Sequence, residues 1–222
     1  MKKAVIFDLD GTLLDSIRDL AGAINEILKR HGYETLPVET VKSYVGNGLS
    51  MLLKRALADR RQQGENVKEE VFRDYLQELI LYYHDHCMDL TVPYPGIMEM
   101  LKELKNMGIQ TAIVTNKNTL AATELWQQLF KDTVSLVVGE DEAHGIRKKP
   151  EPDMVMEALQ RLNVTPEEAV YVGDSEVDVQ TAKNANMDGI FVLWGFRTKE
   201  ELEGAGAETV IKEPRELGQF LN

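Results

Sequence analysis

Short apolar runs without polar alternation recur at residues 3–7, 111–114, 134–138, 169–172 and 190–193. Runs of this kind predict strands buried on both faces. Between them the apolar spacing changes to the three-and-four step of helices: Met98, Leu101 and Leu104 after Pro95-Gly96, then residues 120–130, 154–162 and 177–185. Strands that alternate with helices predict an α/β fold, a doubly wound, Rossmann-like parallel sheet with helices on both faces. Ligands of such sheets bind at the carboxyl ends of the strands.

Residues 15–90 interrupt the alternation, because they hold helical patterns and no convincing strand. Ile17, Leu20, Ala21, Ile24, Ile27 and Leu28 follow helical spacing, opened by a capping box of Ser16 and Asp19 and ended near Gly32. A second helix is expected over 49–61 and a third over 68–86. Three helices without a strand predict a small α-helical cap domain, 15–90, inserted after the first strand of a core domain made of 1–14 and 91–222. The return hinge is expected at 91–96, where Pro93 and Pro95 disfavour continued helix.

The first strand ends in a way that burial alone does not explain. Asp8 and Asp10 follow it two apart, and desolvating an unpartnered carboxylate is costly. Gly11 comes next and permits a tight turn and close approach to a ligand. The pattern returns at Val170-Tyr171-Val172, whose polar end Gly173-Asp174-Ser175-Glu176-Val177-Asp178 opens a helix. Carboxylates gathered at one face of the sheet call for a cation, and Mg²⁺ with oxygen ligands and a substrate phosphate is the commonest such arrangement. Two more strand ends carry donors suited to phosphate oxygens: Thr115-Asn116-Lys117, and Arg147-Lys148-Lys149-Pro150.

The composition narrows the partners. A net charge of -12 repels nucleic acid and anionic membranes. No apolar run approaches the length of a spanning helix, and a cytoplasmic protein is expected. Cys87 is the single cysteine, which excludes an internal disulfide and any multi-cysteine metal site, and it is expected to be a small buried hydrophobe. His84 and His86, two apart on a helix, do not share a face and are expected at the surface. The partner expected is a small phosphorylated metabolite, with no nucleic acid and no membrane; the oligomeric state is left open.

The ordered set Asp8-Leu9-Asp10-Gly11-Thr12, Thr115, Lys149 and Gly173-Asp174 to Asp178 resembles the four motifs of the haloacid dehalogenase superfamily of phosphohydrolases. The resemblance implies that Asp8 is the nucleophile, Asp10 the general acid/base, Thr115 and Asn116 phosphate ligands and Lys149 the charge-neutralising lysine, with Lys148 as its alternative. It implies Mg²⁺ held by Asp8, Asp10 and Asp174, with Asp178 in support, and Gly11 close to the phosphate. Within the superfamily, Asp10 to Ser16, Tyr44-Val45-Gly46-Asn47-Gly48-Leu49 and Arg55-Ala56-Leu57 look most like phosphoglycolate phosphatases. Hydrolysis of a small phosphate monoester through a phosphoaspartyl intermediate is therefore expected. The alternatives are a phosphomutase acting on a sugar phosphate such as glucose 1-phosphate, and a pyrophosphatase of the same superfamily.

Overall fold

All four residues of strand β1 (Ala4–Phe7) are buried, as an apolar run with no polar alternation requires. The computed structural model describes residues 1–60 and 67–221 and divides into two compact units, Met1–Asp15 with Pro93–Asn222, and Ser16–Val92. In the first unit β1 lies at the centre of a six-stranded parallel sheet with β2 (Gln110–Asn118), β3 (Leu136–Glu140), β4 (Ala169–Gly173), β5 (Asp188–Val192) and β6 (Val210–Ile211). The spatial order is β3-β2-β1-β4-β5-β6. Phe7, the last residue of β1, pairs with Ile113 on one side and Val172 on the other. The strand order reverses direction at β1, which opens a crevice beyond its carboxyl end.

Among the described residues, four helices make the second unit: α1 (Ile17–Arg30), α2 (Val38–Tyr44), α3 (Gly48–Arg60) and α4 (Glu69–His86). Leu20, Ile24, Ile27 and Leu28 of α1 bury one stripe against Leu52, Leu53 and Leu57 of α3 and Leu79 and Tyr83 of α4. Cys87 is buried in this core. Helix α2 is not foreshadowed by the pattern, since only Val41 of its seven residues is buried. The expected end of the second helix at Arg61 lies outside the described residues. Arg55 fastens the turn between α2 and α3: its guanidinium donates to the Tyr44 carbonyl at 2.6 Å and to Asn47 Oδ1 at 2.8 Å. That turn needs glycine, with Gly46 at φ +132° and Gly48 at +80°.

The capping box expected at Ser16 and Asp19 does not form. Ser16 is the N-cap but makes no side-chain cap bond. Asp19 instead turns to a partner far along the chain, accepting from the Leu90 and Thr91 amides and, at 2.7 Å, from the Thr91 hydroxyl. A buried carboxylate satisfied by several donors outcompetes a single local bond.

Helices of the first unit cover the sheet: α5 (Ile97–Asn106), α6 (Thr119–Leu129), α7 (Asp153–Leu162), α8 (Glu176–Asn184) and α9 (Lys199–Ala205). Met154, Val155, Ala158 and Leu159 of α7, with Val179 and Ala182 of α8, pack on Ala4, Ile6, Ala112, Val114 and Tyr171 of the sheet. Helix α8 begins three residues after β4 under a capping box of Ser175 and Asp178. No described helix is long and apolar enough to cross a membrane. The Asp19 clasp gives a stability prediction: Asp19→Ala lowers the unfolding free energy of the helical unit by about 2–4 kcal/mol. The Leu90 and Thr91 amides then exchange faster in hydrogen-exchange mass spectrometry, and unchanged protection there would refute the clasp.

Candidate functional site

Beyond Phe7 the chain leaves the sheet in a tight turn. The Asp8 amide still donates to the Val172 carbonyl at 2.8 Å, and the amides of Thr12, Leu13 and Leu14 all close on the Leu9 carbonyl. Gly11 holds φ +90° within this turn. The turn separates the two carboxylates that the sequence spaces two apart. Asp8 accepts from Lys149 Nζ at 2.6 Å, whereas Asp10 Oδ2 lies 3.2 Å from Lys117 Nζ.

Lys149 is the hub of the site. Its ammonium also reaches Asp178 Oδ1 at 2.8 Å and the Tyr171 hydroxyl at 3.2 Å. The Tyr171 hydroxyl in turn donates to Asp178 Oδ1 at 2.8 Å. Asp178 Oδ2 accepts from the amides of Asp174 and Ser175 and, at 2.6 Å, from the Ser175 hydroxyl. Both oxygens of this fully buried carboxylate are thus committed to the protein. The Lys149 main chain is fixed separately by Asn116, whose Oδ1 accepts from the Lys149 amide at 2.7 Å while its Nδ2 donates to the Lys149 carbonyl at 3.1 Å. Lys148 is directed elsewhere, 4.0 Å from Glu142 on the surface, so the structure puts Lys149 at the site.

Asp174 sits in a cradle that leaves no room for side chains. Its oxygens accept from the Thr12 hydroxyl at 3.1 Å and the Phe196 amide at 2.7 Å. A Cβ on Gly11 would lie 2.4 Å from Asp174 Oδ2, and one on Gly195 would lie 2.4 Å from both Asp174 Cβ and the Gly11 carbonyl oxygen. A Cβ on Gly173 would strike Asp178 at 2.3 Å. Three glycines therefore let the backbones of separate loops close around two carboxylates.

The electrostatics of this group are unbalanced. Asp8, Asp174 and Asp178 each offer an oxygen within 4.8 Å of the others, and the Lys149 ammonium reaches Asp8 and Asp178. Burial, with Asp178 beside it, drives the Asp8 carboxyl well above the usual carboxylate range despite Lys149. Burial and Asp178 push Asp174 up to about 7. At Asp178 the same burial is outweighed by the Lys149 ammonium and by bonds from Lys149, Ser175 and Tyr171, which hold it below the usual range. Burial tends to discharge Lys149, but Asp178 and Asp8 hold its ammonium above the ordinary lysine range. An all-oxygen donor set of three buried carboxylates fits a hard divalent cation.

The structure thus brings Asp8, Lys149, Asp174 and Asp178 together and places Gly11 against Asp174. Thr115 is buried on β2, where its hydroxyl accepts from the Lys117 amide at 3.1 Å. The Asp10 carboxylate is not in the three-carboxylate group, and the Asn116 amide serves the Lys149 main chain. Sequence reasoning did not single out Tyr171, Ser175, Thr12, Gly195 or the pairing of Lys117 with Asp10. Tyr171 reads as one more apolar strand position, and only the strand-to-helix turn after it hints that its hydroxyl has polar company.

Comparison with known proteins places this geometry. The model of the haloacid dehalogenase-like hydrolase family matches residues 5–192, which include Asp8, Asp10, Lys149, Asp174 and Asp178. The chain belongs to the haloacid dehalogenase-like hydrolases. Among relatives of this family member, a phosphoglycolate phosphatase of Neisseria meningitidis is 40% identical over 197 residues, covering 87% of this chain and 81% of that one. A phosphoglycolate phosphatase of Chromobacterium violaceum is 36% identical over 222 residues, covering 99% and 96%. The crystal structure of a provisionally named phosphoglycolate phosphatase from Lactobacillus delbrueckii subsp. bulgaricus superposes with a TM-score of 0.89 at 36% identity, over 100% of this chain and 99% of that one.

For this haloacid dehalogenase-like hydrolase the Asp174 cradle makes a prediction. Gly195→Ala forces a Cβ onto Asp174 and the Gly11 backbone, so divalent-cation affinity, titrated calorimetrically with Mg²⁺, falls by about tenfold or more while the far-ultraviolet dichroism stays unchanged. Unaltered affinity would show that the cradle does not govern cation binding.

Proposed function

We propose that the protein is a Mg²⁺-dependent phosphatase that hydrolyses a small phosphate monoester, with phosphoglycolate the first candidate, through a phosphoryl group carried on Asp8. Family membership and relatives named phosphoglycolate phosphatases over nearly the whole chain make it a phosphoric monoester hydrolase. The observation that carries the finer reading is the Asp8 carboxylate at the central strand end, 2.6 Å from a buried lysine and grouped with Asp174 and Asp178.

The chemistry follows from charge. A phosphate monoester is a dianion, so a carboxylate attacks it only where positive charge offsets both. Lys149 supplies one such charge, fixed in place by Asp178, Tyr171 and the Asn116 contacts to its main chain. Bound Mg²⁺ would add charge neutralisation and orient the phosphoryl oxygens for in-line displacement, held by Asp8 and Asp174 with Asp178 in support. Asp8 attacks phosphorus as the bond to the leaving oxygen breaks, and Asp10 gives that oxygen its proton. Asp10, now a carboxylate, takes a proton from the water that displaces Asp8 from phosphorus, and phosphate leaves. Thr115, buried on the neighbouring strand, is assigned to the phosphate oxygens. The helical unit is assigned the part of a cap that excludes bulk water during attack.

A panel of phosphate monoesters assayed with Mg²⁺ tests the substrate class, and phosphoglycolate should give the highest kcat/KM. Asp8→Asn keeps the shape of the side chain and removes its nucleophilic oxygen, so turnover of every member should fall by about 10⁴-fold or more without loss of fold. Retention of a tenth of the activity would overturn the assignment of Asp8.

A further inference from the structure

Lys117 has no part in the chemistry derived so far, yet it is one of the more deeply placed cations of the site. Its side chain is 5% exposed, and its ammonium lies 3.2 Å from Asp10 Oδ2. The strand places it there: Thr115 and Lys117 are two apart on β2, while Asn116 between them turns to the Lys149 main chain. The other Asp10 oxygen, Oδ1, is buried and has no hydrogen-bond partner among the described residues. One carboxylate thus carries two oxygens of unlike standing, one held by a cation and one left without a bond.

We propose that Lys117 is the positioning residue for Asp10, anchoring Oδ2 so that Oδ1 is the oxygen that delivers and recovers the proton. A carboxyl group rotates about its terminal torsion with little resistance, so without an anchor its two oxygens exchange places and the acid is poorly aimed. The ammonium occupies Oδ2, so Oδ1 is the oxygen left to meet the leaving group. In the first half-reaction the Oδ1 proton passes to the leaving oxygen as its bond to phosphorus breaks and the phosphoryl group moves to Asp8. In the second, Oδ1 takes a proton from water as the water oxygen bonds to phosphorus and the bond to Asp8 breaks. Asp10 ends as it began, and Lys117 contributes no proton. The inference rests on the phosphatase reading above and adds a residue to it.

The test uses three substrates with the full-length protein and Mg²⁺: phosphoglycolate, glycerol phosphate, which is an alkyl ester without a carboxylate, and p-nitrophenyl phosphate, whose leaving group needs little protonation. The readout is kcat/KM, which reports events up to the first irreversible step. Lys117→Met should lower it about 30-fold or more for both alkyl esters and less than about threefold for the aryl ester, because only the alkyl esters depend on an aimed acid. Lys117→Gln, less disruptive to the strand, should give the same pattern in weaker form and serves if the methionine variant does not fold. Equal losses on all three substrates would make Lys117 a phosphate ligand or a merely structural residue. A loss confined to phosphoglycolate would make it an anchor for the substrate carboxylate, and either result overturns the proposal. Asp10→Asn, run alongside, separates the two levels of the argument. If it discriminates between alkyl and aryl esters while the Lys117 variants do not, only the inference about Lys117 fails. If it does not discriminate, the proton-transfer role of Asp10 fails and the inference falls with it.

Discussion

The ammonium of Lys149, buried between Asp8 and Asp178, is the interaction on which the rest of the site depends. Charges removed from water are costly unless they are paired and further hydrogen-bonded, and the Lys149–Asp178 pair is completed in this way. Tyr171 and Ser175 satisfy Asp178, Asn116 fixes the Lys149 main chain, and the α8 capping box holds Asp178 in place. Removing one partner would leave an uncompensated charge in the interior. The network therefore fixes the positions of Asp8 and Lys149 relative to each other before any ligand arrives, which is what electrostatic preorganisation requires.

That network stands where it does because of the sheet. Strand β1 is flanked by β2 and β4, so the carboxyl ends of all three open on one crevice. Asp8 and Asp10 come from the first, Thr115, Asn116 and Lys117 from the second, and Asp174 to Asp178 from the third. Lys149 arrives from the segment before α7 and is held against the second by Asn116. Four parts of the chain meet because parallel strands deliver their carboxyl ends to one side. The glycines at 11, 173 and 195 let those loops approach closely enough for carboxylates to share a space that side chains would fill.

The sheet was legible in the sequence because strands buried on both faces leave an unbroken apolar signature, as residues 4–7 and 169–172 do. What escaped notice has physical reasons. Helix α2 buries only Val41 and so has no apolar stripe to read, and β6 is two residues long. The polar end of β2 runs to Asn118 with an irregular register after Val114, which no apolar period marks. Ser16 and Asp19 carry the spacing of a local cap, but Asp19 bonds residues 71 and 72 positions away, and a distance of that kind is set by tertiary packing. At the site, the acidic and basic residues at strand ends were legible as candidates, and the structure shows which of them meet. The partner of each charge was not legible. The sequence puts Asp8 and Asp10 side by side, yet they pair with lysines 149 and 117 from different segments, and the glycine at 195 acquires meaning only once Asp174 is seen beside it.

In the proposed reaction the buried Asp8 carboxylate, poised against Lys149, carries the phosphoryl group. The most direct measurement is a rapid acid quench of the protein with ³²P-labelled phosphoglycolate and Mg²⁺ in the first turnover, one half then being peptide-mapped for ³²P and the other reduced with borohydride, which expels the phosphate, before mapping. An acyl phosphate on Asp8 predicts acid-stable label in the peptide containing residues 4–15 and conversion of position 8 to homoserine. Product formation with no label at position 8, or with label on another residue, would contradict the account.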